Sequence, residues 1–107
     1  MLEVTKTMNK QTETYVTQLI GYAGAARSGY IKAIDAYPKH DGSYEQLMEE
    51  ANSYFHMAHE AHFNLFQSNP TEENEGLMLL MHAEDQLMCA ETFKIIADRI
   101  NLLMQDK

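Results

Sequence analysis

The chain has no tryptophan and one cysteine, Cys89. A single thiol excludes an internal disulfide framework. Basic residues are scarce, eight Lys and Arg against sixteen Asp and Glu, for a formal net charge of −8. That balance excludes the basic patch that nucleic acids and anionic membrane surfaces require. No apolar run approaches the roughly 18 residues of a transmembrane helix. The opening stretch, Met1-Leu2-Glu3-Val4-Thr5-Lys6, lacks the apolar centre of a signal peptide. These absences point to a soluble cytoplasmic protein. Its 107 residues, 45% hydrophobic and 22% charged, read as a single folded domain spanning 1–107.

Proline and glycine are also few, two and five, and their placement argues against strands. Pro38 and Pro70 fall in two short polar breaks, Tyr37 to Gly42 and Gln67 to Glu73. Between the breaks lie three long segments, near 13–37, 43–67 and 74–104, each with a helical period. The first stripe is Val16, Leu19, Ala23, Ala26, Tyr30, Ala33 and Tyr37. The second is Tyr44, Leu47, Ala51, Tyr54, Ala58, Ala61 and Leu65. The third is Met78, Met81, Asp85, Met88, Thr92, Ile95, Arg99 and Leu102, apolar with polar intruders. Residues 1–12 are polar and expected to fray. Ser43 with Gln46 has capping-box spacing. Pro70 after Asn69 either opens the third helix or ends the preceding turn.

Short loops make neighbouring helices antiparallel, so the expectation is all-α: an up-down-up three-helix bundle, each helix about 40–45 Å long at 1.5 Å per residue. The third helix is apolar well beyond one face, with Leu77, Leu79, Leu80, Leu87, Phe93, Ile96, Ile100 and Leu103 added to its stripe. One partner face cannot bury all of these, and self-association is the simplest cover.

That helix also carries the groups best suited to chemistry. His82 and Asp85 stand three residues apart, on one side of the helix. Asp85 falls inside the apolar stripe, where a buried carboxylate is costly unless paired, protonated or bound to a metal. Copies of Asp85 gathered at a symmetry axis would need a cation such as Mg²⁺ or shared protons. His82 lies at the stripe's edge, on a row with Cys89, Ile96 and Leu103, where a neutral imidazole is a competent nucleophile near pH 7. The plainer alternative is a bundle histidine and a surface charge. A second cluster, His56, His59, Glu60 and His62, invites a metal reading. His59-Glu60-Ala61-His62 is one residue short of the zincin spacing, and the Glu-x-x-His pairs of a di-iron bundle are absent. Its three imidazoles would fan across about 120° of the helix rather than converge. Cys89 reads as a buried thiol and the eight methionines as core filler. Arg27, in the Ala-rich first helix, stays open as an exposed charge, a salt-bridge partner or an anion contact.

The third-helix run Leu79-Leu80-Met81-His82-Ala83-Glu84-Asp85-Gln86-Leu87-Met88 closely resembles the signature of the lactose/cellobiose-specific enzyme IIA family of the bacterial sugar phosphotransferase system. That signature reads roughly His-Ala-Gln-Asp-His-Leu-Met after a leucine-rich stretch. Gly24-Ala25-Ala26-Arg27-Ser28 is similar to the family's Gly-Asn-Ala-Arg-Ser, and Ala51-Asn52 and Ala58-His59 resemble its Ala-Asn and Ala-His positions. The resemblance runs from about residue 14 to residue 104.

It implies a homotrimer of nine helices. The phosphorylatable histidine would be His82, taking a phosphoryl group from the phosphocarrier HPr and passing it to a cysteine of the cognate enzyme IIB. Asp85 would face the trimer axis and help bind a divalent cation, Mg²⁺ by expectation. Two positions depart: Glu84 stands where Gln is usual, and Gln86 where a second His is usual. Extra acids beside His82 disfavour a negatively charged phosphoryl group. His59 and His62 are candidates for supporting it. The system would serve a disaccharide such as lactose, cellobiose or chitobiose. Competing readings are a non-catalytic trimeric interaction module and a metal-binding bundle built on His56, His59 and His62.

Overall fold

A computed structural model describes residues 10–67 and 74–104, the latter without the side chains of 74–78. The chain folds as three helices: α1 (Lys10–Ala36), α2 (Ser43–Gln67) and α3 (Asn74–Met104). Among the described residues there is no strand, and the molecule is elongated, 56 × 23 × 17 Å. The all-α three-helix bundle expected from the periodicity is what forms. The stretch with Asn69 and Pro70 lies outside the described residues.

The first helix starts earlier than its polarity suggests. Residues 10–12 are helical and Thr12 is buried. At the other end Pro38 has no N–H to continue the ladder and disfavours helical geometry before it. The chain therefore tightens into a 3-10 turn, Tyr37–Lys39. His40, left-handed at φ 52°, closes that turn by donating its N–H to the Tyr37 carbonyl at 3.2 Å. Gly42, at φ +91°, then supplies the carbonyl that accepts from Gln46 N–H. Asp41 takes the role expected of Ser43 and Gln46. Its Oδ1 accepts the Ser43 N–H at 3.0 Å and the Ser43 hydroxyl at 2.6 Å. These bonds to the charged form hold the Asp41 carboxyl below its ordinary range.

The stripe of α1 is buried along its whole length, from Val16 to Tyr37. On α2 the seam is shifted by one position at two turns. Met48 is buried while Leu47 is only half so, and Phe55 packs on the core while Tyr54 is exposed. The spacing 44, 48, 51, 55, 58 keeps one face in register with α1, which 47 and 54 do not. At the α1–α2 crossing a Cβ on Gly29 would stand 2.8 Å from Ala51 Cβ, so glycine is what allows that approach. At the next position Tyr30 donates to Asn52 Oδ1 at 2.6 Å and meets Phe55 edge-on. α1 packs along both other helices, whereas α2 and α3 meet along little of their length. Polar links join that second pair among the described residues: the Tyr44 hydroxyl donates to the Ala97 carbonyl at 2.9 Å, and His62 meets Glu84.

Candidate functional site

The third helix turns a different face inward from the one its Met/Ile stripe suggested. Leu80, Ala83, Leu87, Ala90 and Ala97 are buried, and Phe93 and Ile100 pack against them. Met81 and Met88 are 59% and 63% exposed, and Ile95 and Leu102 are exposed with them. Asp85 sits among these residues and is itself exposed. Within one copy it is therefore not a buried carboxylate, and the described α3 methionines are not core filler. Cys89 is half-buried rather than buried. The face centred on Asp85 lies opposite the core face because Asp85 and Leu87 differ by about 200° around the helix.

His82 stands where the spacing placed it, at the edge of this outward face and open to solvent. Among the described residues neither His82 nor Asp85 has a hydrogen-bond or ion-pair partner. The His82 ring nitrogens are thus available to an incoming electrophile.

The three histidines of α2 go to three different partners. His56 lies 3.9 Å from Glu60 on the exposed face. His59 sits edge-on to Phe55 with ring centres 4.6 Å apart. His62 Nε2 is 2.7 Å from Glu84 Oε2, and its ring meets Phe66 edge-on at 4.8 Å. Among the described residues no group of three His, Cys, Asp or Glu is placed to hold a metal ion. Glu84 lies about 200° from His82 around α3, so within one copy His62 and His82 occupy opposite flanks of that helix.

The His62–Glu84 contact is the feature that the spacing did not reveal. Its signal was available in Glu84 itself. An acid on the row of Leu80 and Leu87, spaced i+4 and i−3 from them, borders a buried face and needs a partner from the neighbouring helix. Arg27 is settled in part. It lies on the α1 row of Ile20 and Ile34, and its Nε is buried without a hydrogen-bond partner among the described residues.

Among the described residues, then, an all-α bundle presents on α3 an exposed apolar face edged by an unpartnered histidine. The chain matches the family described as "PTS system, Lactose/Cellobiose specific IIA subunit" over residues 14–105. It belongs to that family, and so is a phosphotransferase component of a sugar phosphotransferase system, in a family that works with HPr and an enzyme IIB. Three curated relatives agree. The oligo-beta-mannoside-specific EIIA component of Bacillus subtilis is 33% identical over 99% of this chain and 98% of its own length. The lichenan-specific enzyme IIA component of the same organism is 32% identical over 87% and 86%. The lactose-specific EIIA component of Staphylococcus epidermidis is 36% identical over 66% and 70%. No solved structure matches. Among the described residues no helix is long and apolar enough to cross a membrane.

Proposed function

We propose that His82 is the phosphoryl acceptor of this chain, and that the protein ferries phosphate in the cytoplasm from phospho-HPr to a cysteine of its cognate enzyme IIB. The observation that carries this reading is an exposed, unpartnered imidazole in the family's third-helix signature. A His82 nitrogen, Nε2 by family expectation, attacks phosphorus in line. The bond from phosphorus to the HPr histidine breaks, and HPr leaves with its imidazole restored. The second transfer runs in the same sense: a thiolate of enzyme IIB attacks, and His82 regains its free ring. Such transfer asks for positioning and charge stabilisation more than for covalent chemistry from the protein. A small bundle suffices.

The assembly that fits is a homotrimer of nine helices around the face of Met81, Asp85, Met88 and Ile95. Large exposed apolar side chains on one helix face support it. One carboxylate per copy cannot hold a divalent cation, but three copies of Asp85 at an axis supply the hard oxygen ligands that Mg²⁺ takes. Bound there, the ion would neutralise the three carboxylates. The relatives are named for oligo-beta-mannoside, lichenan and lactose. A disaccharide such as lactose, cellobiose or chitobiose is the cargo that such a system would take up.

The test is phosphorylation with phosphoenolpyruvate, enzyme I and HPr, read by intact mass beside His82→Ala. One phosphoryl group gained by the parent and none by the variant is the expected result. A folded trimer that gains none would instead be a non-catalytic interaction module.

A further inference from the structure

Two acids and one carboxamide follow His82 along α3, and the structure sorts them. Glu84 lies about 200° from His82 around the helix, and its Oε2 is held by His62 Nε2 at 2.7 Å. Asp85 lies about 60° from His82, on the exposed face of Met81 and Met88. Gln86 lies about 40° the other way, toward buried Ala83 and Ala90, and is itself half-buried. It follows His82 by four residues, the spacing at which side chains on a helix are neighbours, with about 5–6 Å between Cβ atoms. Side chains on a helix lean toward its N-terminus. Gln86 therefore leans back over the turn that carries His82. Among the described residues neither side chain has a hydrogen-bond partner. An exposed carboxylate such as Asp85 is served by water, whereas a half-buried carboxamide gains more from a partner in the protein.

We infer that Gln86 orients His82 for transfer: the His82 Nδ1–H donates to Gln86 Oε1, and Nε2 is left as the free nucleophile. This rests on the phosphocarrier reading. His82 also leans toward the N-terminus of α3, so its far nitrogen, Nε2, points away from Gln86, and the near nitrogen, Nδ1, lies within the amide's reach. A neutral imidazole carries one ring proton, and the hydrogen bond made by one nitrogen decides which of the two holds it. As Nε2 bonds to phosphorus and the bond from phosphorus to the HPr histidine breaks, the His82 ring gains positive charge. The bond from Nδ1–H to Gln86 then tightens. Gln86 makes and breaks no covalent bond; it is a positioning residue. Its carboxamide accepts at every pH, whereas an imidazole in its place would stop accepting once protonated.

The experiment reads the His82 ring and the transfer rate together. Nitrogen NMR of the unphosphorylated protein, at a pH where the ring is neutral, is expected to show the His82 proton on Nδ1. The signals are assigned by their absence from His82→Ala. Gln86→Met keeps the length of the side chain and removes the amide. It is expected to move the proton largely to Nε2, the position a free imidazole prefers. Uptake from phospho-HPr should slow by roughly threefold to thirtyfold, the worth of one hydrogen bond to a group gaining charge. Gln86→His restores an acceptor. Its rate should return toward the parent's at high pH and fall as the new imidazole protonates, a dependence that a role in packing alone would not produce. A parent that takes up no phosphate overturns the phosphocarrier reading, and this inference with it. A phosphorylated parent with its ring proton on Nε2 overturns the inference alone, as does Gln86→Met at the parent rate. Should Gln86→Met fail to fold, Gln86→Asn, one methylene shorter, carries the same test.

Discussion

The interface of α1 with α2 and the outward face of α3 are built on opposite terms. The first closes within one chain. Gly29 lets the backbones approach at Ala51, Tyr30 caps the crossing with a bond to Asn52, and alanines fill the seam. The second leaves Met81, Met88, Ile95 and Leu102 in solvent around a carboxylate. Small residues at close spacing give a fold that a single copy can complete. Large apolar residues around a charge describe a surface that a single copy leaves incomplete. The fold belongs to the first region, and the chemistry proposed for His82 would fall at the edge of the second.

The sharpest way to break this contrast is to shorten one side chain on each side. Leu19 is fully buried in α1, and Leu19→Ala should cost about 3 kcal/mol of unfolding free energy at any protein concentration. Met88→Ala removes a comparable volume from the outward face. It should leave the fold of one copy nearly untouched and weaken association, seen as melting that becomes more concentration-dependent. Equal losses from both, independent of concentration, would erase the distinction between the two regions.

Asp85→Leu tests the outward face from the other direction. If three copies of Asp85 meet at the proposed axis, replacing that repelling cluster by apolar groups of similar size should stabilise the proposed trimer by about 1–3 kcal/mol and remove any dependence on a divalent cation. Sedimentation and melting with and without chelator would show this. Monomers in place of a tighter trimer would overturn the proposed axial place of Asp85.

Two tyrosines sharpen the closed side through pH. Burial pushes the Tyr30 phenol far above its ordinary value, and the charge of Asp98 adds to it; burial also raises Tyr44. The unfolded phenols ionise near pH 10. The folded forms keep their protons to higher pH. Their contribution is therefore whole below about pH 10 and is lost as the pH rises above it towards the folded values. Alkaline melts should fall steeply there, and Tyr30→Phe should flatten the fall. Tyr44→Phe should also cost about 1 kcal/mol at neutral pH, through the lost bond to the Ala97 carbonyl.

The difference between the regions also explains what the chain reveals when read as letters. The α1 stripe is legible because that helix has one apolar phase, and the breaks are legible because Pro38 and Gly42 cannot sit inside a helix. On α3 two apolar phases compete. Leu80 and Leu87 belong to one, Met81 and Met88 to the other. Hydrophobicity does not separate them. Size and charge do: the buried phase holds Ala83, Ala90 and Ala97 at heptad spacing and no charge, while the exposed phase includes Asp85 and Arg99. The role proposed for His82 rests on its motif and on its exposure. The bond between His62 and Glu84 is not legible in the letters, because it depends on how α3 is rotated against α2, and that rotation follows from the alanines.

The smallest effects come from glycines that differ only in what faces them. At Gly29 an added methyl meets Ala51 Cβ at 2.8 Å and Ala51 Cα at 3.3 Å. Both belong to a short side chain and its backbone, so neither can swing away. Overpacking of this kind costs about 1–3 kcal/mol, and the gain of about 1 kcal/mol from alanine over glycine in a helix offsets only part of it. Gly29→Ala should therefore destabilise. Gly21, on the exposed side of the same helix, has nothing within 4 Å of its would-be Cβ. There the helix term stands alone, and Gly21→Ala should stabilise by about 0.5–1 kcal/mol. The same substitution eight residues apart thus changes sign, and chemical denaturation of the two variants side by side reads that sign. If both stabilise, the α1–α2 crossing has slack, and glycine at Gly29 is not what sets the approach of the two helices.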